Sequence, residues 1–300
     1  MERLLITGGT GTIGRELLEK LHTQYKIRVI SRDELKQAQL KSQYPDVEFV
    51  ITDIRDYRAV LKAMVGIDAV IHAAAMKRIE ICEQYPMEAV KTNVLGTENV
   101  VSAAKERGIK KLICIGTDKD CEPINVYGMT KAIEEKITLS AGYNCARYGN
   151  VFGSRGSVIP LFAELSQKGL PLTVTDPEMK RFILTPKEAI DLLLLALNSP
   201  MDGTIFVKKS PAAKVGDIAT AFSDNIHIIG ANPFEKKYEM LLTGDEMSRA
   251  EDKDGYYIIN KDKKRVIAET PYTSDKAELL SVDQIKELVK QYGCPLQTSK

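Results

Sequence analysis

Arg3-Leu4-Leu5-Ile6-Thr7-Gly8-Gly9-Thr10-Gly11-Thr12-Ile13-Gly14 is an apolar run that breaks into a glycine-rich turn, after which Leu17, Leu18 and Leu21 recur at helical spacing. The order is strand, tight turn, helix. Gly8, Gly11 and Gly14 permit the turn, let the backbone approach a pyrophosphate and let the helix pack closely on the strand. The helix start then offers the phosphates free N–H groups and the positive end of its dipole. Alone, such a pattern is compatible with an ordinary loop. At the head of a strand-helix-strand unit it reads as a dinucleotide site, with Thr10, Thr12 and Ile13 inside the turn.

The second strand, Ile27 to Ile30, ends at Ser31-Arg32-Asp33. A carboxylate near this strand end suits the ribose 2′-hydroxyl of NAD, whereas a 2′-phosphate needs a cation and small hydrogen-bond donors. Ser31 and Arg32 therefore favour NADP; Asp33 leaves NAD open, and Arg32 can equally be a solvated charge opening the next helix. Val47 to Ile51 is a third strand, ending near Asp53-Ile54, where a carboxylate beside an apolar residue suits an adenine edge. Ala69 to His72 is the fourth and opens into Ala73-Ala74-Ala75-Met76-Lys77. The alanines let a dinucleotide lie against the backbone, or serve packing alone. His72 still lies within the apolar strand and reads as structural. Lys77 stands beyond the strand's C-terminal end, where ligands bind in such sheets, and is otherwise a surface lysine.

At 300 residues and 44% apolar, with strands alternating with helices, the chain fits one α/β core with a smaller appended lobe. The expected division is a dinucleotide-binding core over 1–150 that carries the catalytic residues, and a mainly substrate-binding lobe over 151–300 with segments returning to the core. A net charge of +1, from 42 basic and 41 acidic residues interspersed, gives no field for nucleic acid or anionic lipid, so the expected partner is a small molecule. Cys82, Cys114, Cys121, Cys145 and Cys294 show no Cys-x-x-Cys spacing and cannot all pair within one chain, which points to reduced thiols and a cytoplasmic setting. None of His22, His72 and His227 has ligand spacing to a cysteine, and no metal is expected. The longest apolar run, Ala189 to Leu197 interrupted by Asp191, is far short of the roughly 20 residues of a membrane span, and no signal peptide is read before the first strand.

Two long helices, Pro86 to Arg107 and about Asn125 to Ser140, flank a strand from Lys111 to Ile115. Pro86 suits a first turn and Gly108 a C-terminal cap. Asn93, within the first helix, faces either the cofactor loops or solvent. The second helix carries Tyr127 and Lys131, four residues apart and therefore on one face. Downstream of the glycine turn and of Gly116-Thr117-Asp118-Lys119, that pair is a phenol and an ammonium suited to hydride chemistry. Asp118 and Lys119 add a second acid/base pair that simple hydride transfer does not need, which suggests a multistep reaction.

On these residues the chain resembles the extended short-chain dehydrogenase/reductase superfamily, through Thr7 to Gly14, Asp53, Ala73 to Ala75, Asn93, Thr117 and Tyr127 to Lys131. More narrowly it resembles the inverting UDP-N-acetylglucosamine 4,6-dehydratases of the pseudaminic acid pathway, through Ser31 to Gln37, Thr117 to Lys119, Pro123 to Lys131 and Arg147 to Pro160. The resemblance implies a Rossmann-like doubly wound parallel sheet with a smaller C-terminal substrate-binding lobe, a tightly bound NADP recycled within each turnover, and a UDP-sugar substrate. It implies that Tyr127, its pKa lowered by Lys131, removes the 4-hydroxyl proton while hydride leaves C4, that Thr117 bonds the 4-oxygen, and that Lys131 holds the nicotinamide ribose. Lys119 then takes the C5 proton, a protonated Asp118 donates to the departing C6 hydroxyl, hydride returns to C6, and C5 is reprotonated from the opposite face.

By the same resemblance Asn150 meets the uridine diphosphate, Ser157 and Val158 offer backbone N–H groups to the nucleotide, Arg181 pairs with a phosphate, and Lys77 and Glu239 complete the substrate contacts. Two positions depart from the pattern: Gly116, where relatives commonly carry serine, and Asp120, where alanine is usual and where a carboxylate is expected to favour protonated Lys119. The segment Gly230 to Glu239 also lacks the arginine that relatives place before Pro233. Ser281-x-x-Gln284 caps a final amphipathic helix. Relatives further imply a homo-oligomer built on the two long helices. Three activities stay open: a dehydratase, inverting or retaining, that needs Lys119 and Tyr127; a sugar-nucleotide 4-epimerase that needs only Tyr127 and Lys131; and a cofactor-sensing binding protein, in which Tyr127 or Lys131 is typically missing.

Overall fold

Leu4, Leu5 and Ile6 are fully buried, so the first strand is covered on both faces, as a parallel sheet requires. A computed structural model describes residues 1–260 and 269–292. Its main sheet has nine strands: β1 (Arg3–Thr7), β2 (Lys26–Ser31), β3 (Glu48–Ile51), β4 (Ala69–His72), β5 (Lys111–Ile115), β6 (Asn144–Arg147), β7 (Thr204–Lys208), β8 (Ala250–Lys253) and β9 (Tyr256–Asn260). They lie in the order β3-β2-β1-β4-β5-β6-β7-β9-β8, parallel as far as β7 and antiparallel beyond it. The order reverses between β1 and β4, and ligands bind open α/β sheets in the crevice beyond the carboxyl ends of such strands. This is the Rossmann-like doubly wound sheet expected.

Alternate residues of β1 serve opposite layers. Leu4 and Ile6 pack with Leu17 of the helix Thr12–Leu21 and Leu193 of the helix Pro186–Leu197. Leu5 packs with Val100 and Ala104 of the helix Gly96–Glu106. Each fully buried Leu or Ile contributes about 1.5–3 kcal/mol. A third cluster, including Phe152, Phe162, Ile218 and Ile285, joins the helices Val158–Gln167, Val215–Thr220 and Val282–Gln291 beside the sheet. Ser281 and Gln284 form the expected capping box on the last of these.

The first long helix departs from expectation. Pro86–Ala89 and Gly96–Glu106 are α-helical, but Val90–Leu95 between them is a wider π turn, a feature frequent at functional sites. Gly96 closes that turn against Ile54, whose Cδ1 lies 2.7 Å from where a Cβ would stand. Among the described residues no helix is long and apolar enough to cross a membrane. Cys82, Cys114, Cys121 and Cys145 are buried and unpaired; Cys294 lies outside the described residues.

Gly14 tests the helix-strand approach. A Cβ there would sit 2.3 Å from Gly9 Cα and 2.4 Å from Gly9 O. Gly14→Ala should therefore lower the unfolding free energy by about 1–3 kcal/mol or more, read as a drop in urea midpoint. An unchanged midpoint would mean that the turn is not packed this tightly.

Candidate active site

The glycine turn and the end of β4 meet without side chains between them. Gly8 has φ +66°, and a Cβ on it would lie 2.7 Å from Ala74 Cα. Thr7 Oγ1 accepts the N–H groups of Ala73 (3.1 Å) and Ala74 (3.2 Å) and bonds His72 Nδ1 at 2.6 Å, while His72 Nε2 meets Thr97 Oγ1 at 2.9 Å. Both ring nitrogens are thus engaged, and His72 is structural as expected. The bare backbone at the start of the helix Thr12–Leu21 borders a cleft of about 1140 Å³, lined on this side by Gly8, Thr10, Gly11, Thr12, Ile13, Gly14, Ser31, Arg32, Ile54, Ala73, Ala74, Ala75 and Lys77. That surface fits a dinucleotide: a pyrophosphate can approach the turn, and Arg32 supplies a cation at the ribose end.

Two expected cofactor contacts turn elsewhere. Asp53 gives its carboxylate to Arg55, at 2.9 Å from Nε and 2.6 Å from Nη2, and its neighbours Thr52 and Ile54 line the cleft instead. Asn93 is fully buried and faces neither cofactor nor solvent. It accepts from Met76 N at 2.7 Å and donates to Met76 O at 2.9 Å and to Thr130 Oγ1 at 3.0 Å, so it fixes the loop that follows β4. Asp33, which left NAD open, caps the helix Glu34–Gln43 by accepting from Lys36 N and pairs with the Lys36 ammonium.

Tyr127 is placed by the start of its helix, Val126–Ser140. Asn125 caps that helix by accepting from Gly128 N at 2.8 Å, and Gly128 packs so tightly that a Cβ would lie 2.1 Å from Lys119 O. Tyr127 and Lys131 line the cleft on one helix face. Burial holds the phenol pKa above its ordinary value; the Lys131 and Lys119 charges pull it down without cancelling that effect, so the lowered pKa expected of Tyr127 is not seen in the protein alone. Lys131 donates to Ile115 O at 2.6 Å and to Glu134 Oε1 at 2.5 Å. Glu134 is a partner that the sequence reading did not single out, and burial pushes its carboxyl up to about 7.

Lys119 lines the same cleft. Its Nζ lies 2.9 Å from Asp118 Oδ1, 3.4 Å from Glu239 Oε1 and 3.5 Å from Asn150 Oδ1. Burial works against the ammonium, but the Asp118 and Glu239 carboxylates outweigh it and hold its pKa above the ordinary lysine value. Asp120, expected to exert that influence, turns away: it accepts from Thr117 N at 3.1 Å and pairs with Arg147 at 3.1 Å. A Cβ on Gly116 would lie 3.3 Å from both Asp120 Oδ2 and Arg147 Cα, so the two departures from the family pattern are one arrangement. Asp118 is 1% exposed and lies behind the cleft wall, which does not suit it to donate to a departing hydroxyl.

The remaining expected contacts gather in the same cleft. Asn150, Ser157, Val158, Arg181 and Glu239 all line it. Ser157 precedes the helix Val158–Gln167 without capping it, and its buried Oγ has no partner among the described residues. The helix start is thus left open to an anion. Arg181 donates to Lys180 O and Lys237 O and stands 3.7 Å from Glu239. Arg155, quoted in the sequence motif without a role, bonds Thr10 O at 2.6 Å and draws the loop around Gly153 and Gly156 over the glycine turn. His72, Cys114 and Glu134 have ligand atoms within 4.8 Å of one another, although spacing along the chain gave no hint of it. Both His72 nitrogens are hydrogen-bonded and Glu134 pairs with Lys131, so the cluster is occupied by the protein itself.

A doubly wound sheet, a dinucleotide turn at its switch point and a Tyr-Lys pair in the cleft beside that turn define an extended short-chain dehydrogenase/reductase. Residues 4–261 match the family described as "Polysaccharide biosynthesis protein", and the chain belongs to that family, a group of sugar-nucleotide epimerases and dehydratases. It is 39% identical to a UDP-glucose 4-epimerase of Rickettsia akari over 322 aligned positions, covering 95% of this chain and 94% of the relative. The solved structure of Pen from Bacillus thuringiensis superposes with a TM-score of 0.92 at 36% identity over 98% of each chain. The dTDP-glucose 4,6-dehydratase DesIV of Streptomyces venezuelae, solved with NAD and TYD, shares the fold at 21% identity and a TM-score of 0.70, over 78% of this chain and 86% of that one.

Burial holds the pKa of His72 at about 3, against 6.5 for a free ring, with the nearby Lys131 charge acting the same way. The unfolded ring gains its proton near 6.5 and the folded ring only near 3. The contribution of this residue to stability is therefore complete above 6.5 and falls by about 1.4 kcal/mol per pH unit below it. Ring-nitrogen NMR should show one histidine that does not titrate between about pH 8 and 5; titration of all three in that range would contradict the burial.

Proposed function

We propose that this chain is a UDP-N-acetylglucosamine 4,6-dehydratase that uses NADP and inverts C5, releasing UDP-2-acetamido-2,6-dideoxy-β-L-arabino-hex-4-ulose. The observation that carries this reading is Lys119, held by Asp118 and Glu239 in the same cleft as Tyr127 and Lys131. A 4-epimerase turns over on the phenol and needs no second acid/base set. When bound, a nicotinamide dinucleotide supplies the hydride acceptor and donor, and Arg32 with Ser31 at the cleft edge supports the 2′-phosphate form. Tyr127 takes the proton of the 4-hydroxyl, helped by the Lys131 and Lys119 charges, and Thr117 orients the oxygen. Inversion at C5 is supported by the resemblance alone.

The 4-epimerase is the second reading, favoured by the name of the Rickettsia relative and by the ammonium state of Lys119 in the free protein. Leu95, Met129 and Ile133, each about half exposed on the two long helical segments, support a homo-oligomer. The buried, unpaired cysteines support a cytoplasmic setting.

Incubation with UDP-N-acetylglucosamine in deuterated water, followed by proton NMR, separates the readings. A dehydratase yields a C6 methyl signal with deuterium at C5, and the ring couplings give the C5 configuration. Tyr127→Phe should slow product formation by about 10²–10⁴-fold and Lys119→Met by a similar factor. A 4-epimer as the sole product, formed equally well by Lys119→Met, would end the dehydratase reading.

A further inference from the structure

Residue 155 is tied to both sides of the dinucleotide cleft. Arg155 N donates to Thr12 Oγ1 at 3.1 Å, its Nη2 donates to Thr10 O at 2.6 Å, and its carbonyl accepts from Lys77 Nζ at 2.9 Å. Thr10 and Thr12 follow β1 in the glycine turn, and Lys77 stands in the loop after β4. One residue therefore spans the two strand ends between which the sheet order reverses. Its charge reaches both flanks as well. Lys36 chiefly, and Arg155 in part, hold the Asp33 carboxyl at the end of β2 below its ordinary value, and Arg155 adds to the effect of burial in lowering the pKa of Lys77. The loop that carries Arg155 is shaped for this place. Gly153 and Gly156 have φ of +71° and +75°, a region that favours glycine, and Ser157 N donates to Ser154 O at 3.1 Å, so the chain reverses around residue 155. Ser154, Gly156 and Ser157 line the cleft on either side of it.

Resting on the nicotinamide dinucleotide reading above, and not on the choice between dehydratase and epimerase, we propose that Arg155 is a positioning residue that latches the 153–157 loop over the cleft, so that the dinucleotide enters and leaves only when the latch opens. All three bonds of Arg155 run between groups of the protein. A latch of this kind raises the barrier to entry and to release alike and leaves the affinity nearly unchanged. A residue that contacts the cofactor behaves differently: its loss speeds release without speeding entry, and affinity falls. The latch bears on the reaction because either reading returns the hydride to the sugar that supplied it. A reduced cofactor that escaped in mid-turnover would leave an oxidised sugar with no means of completing the cycle. Slow exchange keeps the same dinucleotide in place for both hydride transfers. The bond to Thr10 O joins a cationic donor to a carbonyl, one of the stronger classes of hydrogen bond, and Arg155 is partly exposed. Its removal therefore loosens the latch without opening a hole in the core.

The test follows NADPH by its fluorescence in stopped flow, entering protein freed of bound dinucleotide and leaving loaded protein when excess NADP displaces it. In Arg155→Met both rate constants should rise by about 10- to 100-fold, while the dissociation constant stays within about 3-fold of wild type. NADH should show the same acceleration, because the latch does not read the 2′-phosphate. Arg155→Lys, which keeps one cationic donor of shorter reach, should fall between the two. Wild-type rates in Arg155→Met overturn the proposal. So does faster release without faster entry, the mark of a direct contact, and so does an effect confined to NADPH, the mark of a 2′-phosphate contact. Should the methionine variant fail to fold, Arg155→Gln decides by the same two rates. If the wild-type protein binds neither NADPH nor NADH, the cofactor reading fails and the latch with it. Wild-type binding with unaltered exchange in the variants defeats the latch alone.

Discussion

A single hydroxyl, that of Thr7, holds the ends of β1 and β4 together where the sheet reverses. It accepts the backbone N–H groups of Ala73 and Ala74, the first of which also donates to Thr7 O at 3.2 Å. It also starts a chain of hydrogen bonds through His72 to Thr97, from Thr97 Oγ1 to Asn93 O, from Asn93 Nδ2 to Thr130 Oγ1 and from there to Tyr127 O. The glycine turn and the phenol are therefore positioned by one connected polar core. Bonds in a chain of this kind polarise one another, and the wider turn Val90–Leu95 carries Asn93, one of its members.

What could be read from the sequence was mostly local. The strand ends, the glycine turn, the cap at Ser281 and the shared face of Tyr127 and Lys131 all depend on residues a few positions apart. The inward turn of Asn93 depends on a change in helical hydrogen bonding that spacing does not reveal. Asp53 was lost to Arg55, a partner only two residues away, because a surface carboxylate takes the nearest guanidinium. Glu239 was read as a binding residue. Its position beside Lys119 arises from a segment far along the chain that is clamped to Lys180 through Ser274.

Beneath the catalytic loop, Arg147 pairs with Asp120, Glu135 and Glu246, all buried. Burial, with Glu135 and Glu246 nearby, pushes the Asp120 carboxyl up to about 7 although Arg147 opposes the shift. Removing one member of such a buried set typically costs about 3–5 kcal/mol, because the remaining charges stay uncompensated. The network joins the loop of Thr117, the helix of Tyr127 and the segment that follows Glu239 through Leu241 O, so these parts of the site share one support.

The close fit between Gly116 and Asp120 also bears on how this active site can change by descent. A side chain at 116 would crowd the carboxylate at 120 and the backbone of Arg147, so the two positions are not free to vary independently. A Cβ at 116 would have to push the Asp120 carboxylate or the Arg147 backbone by a few tenths of an ångström, so the effect of a change at either position depends on the residue at the other.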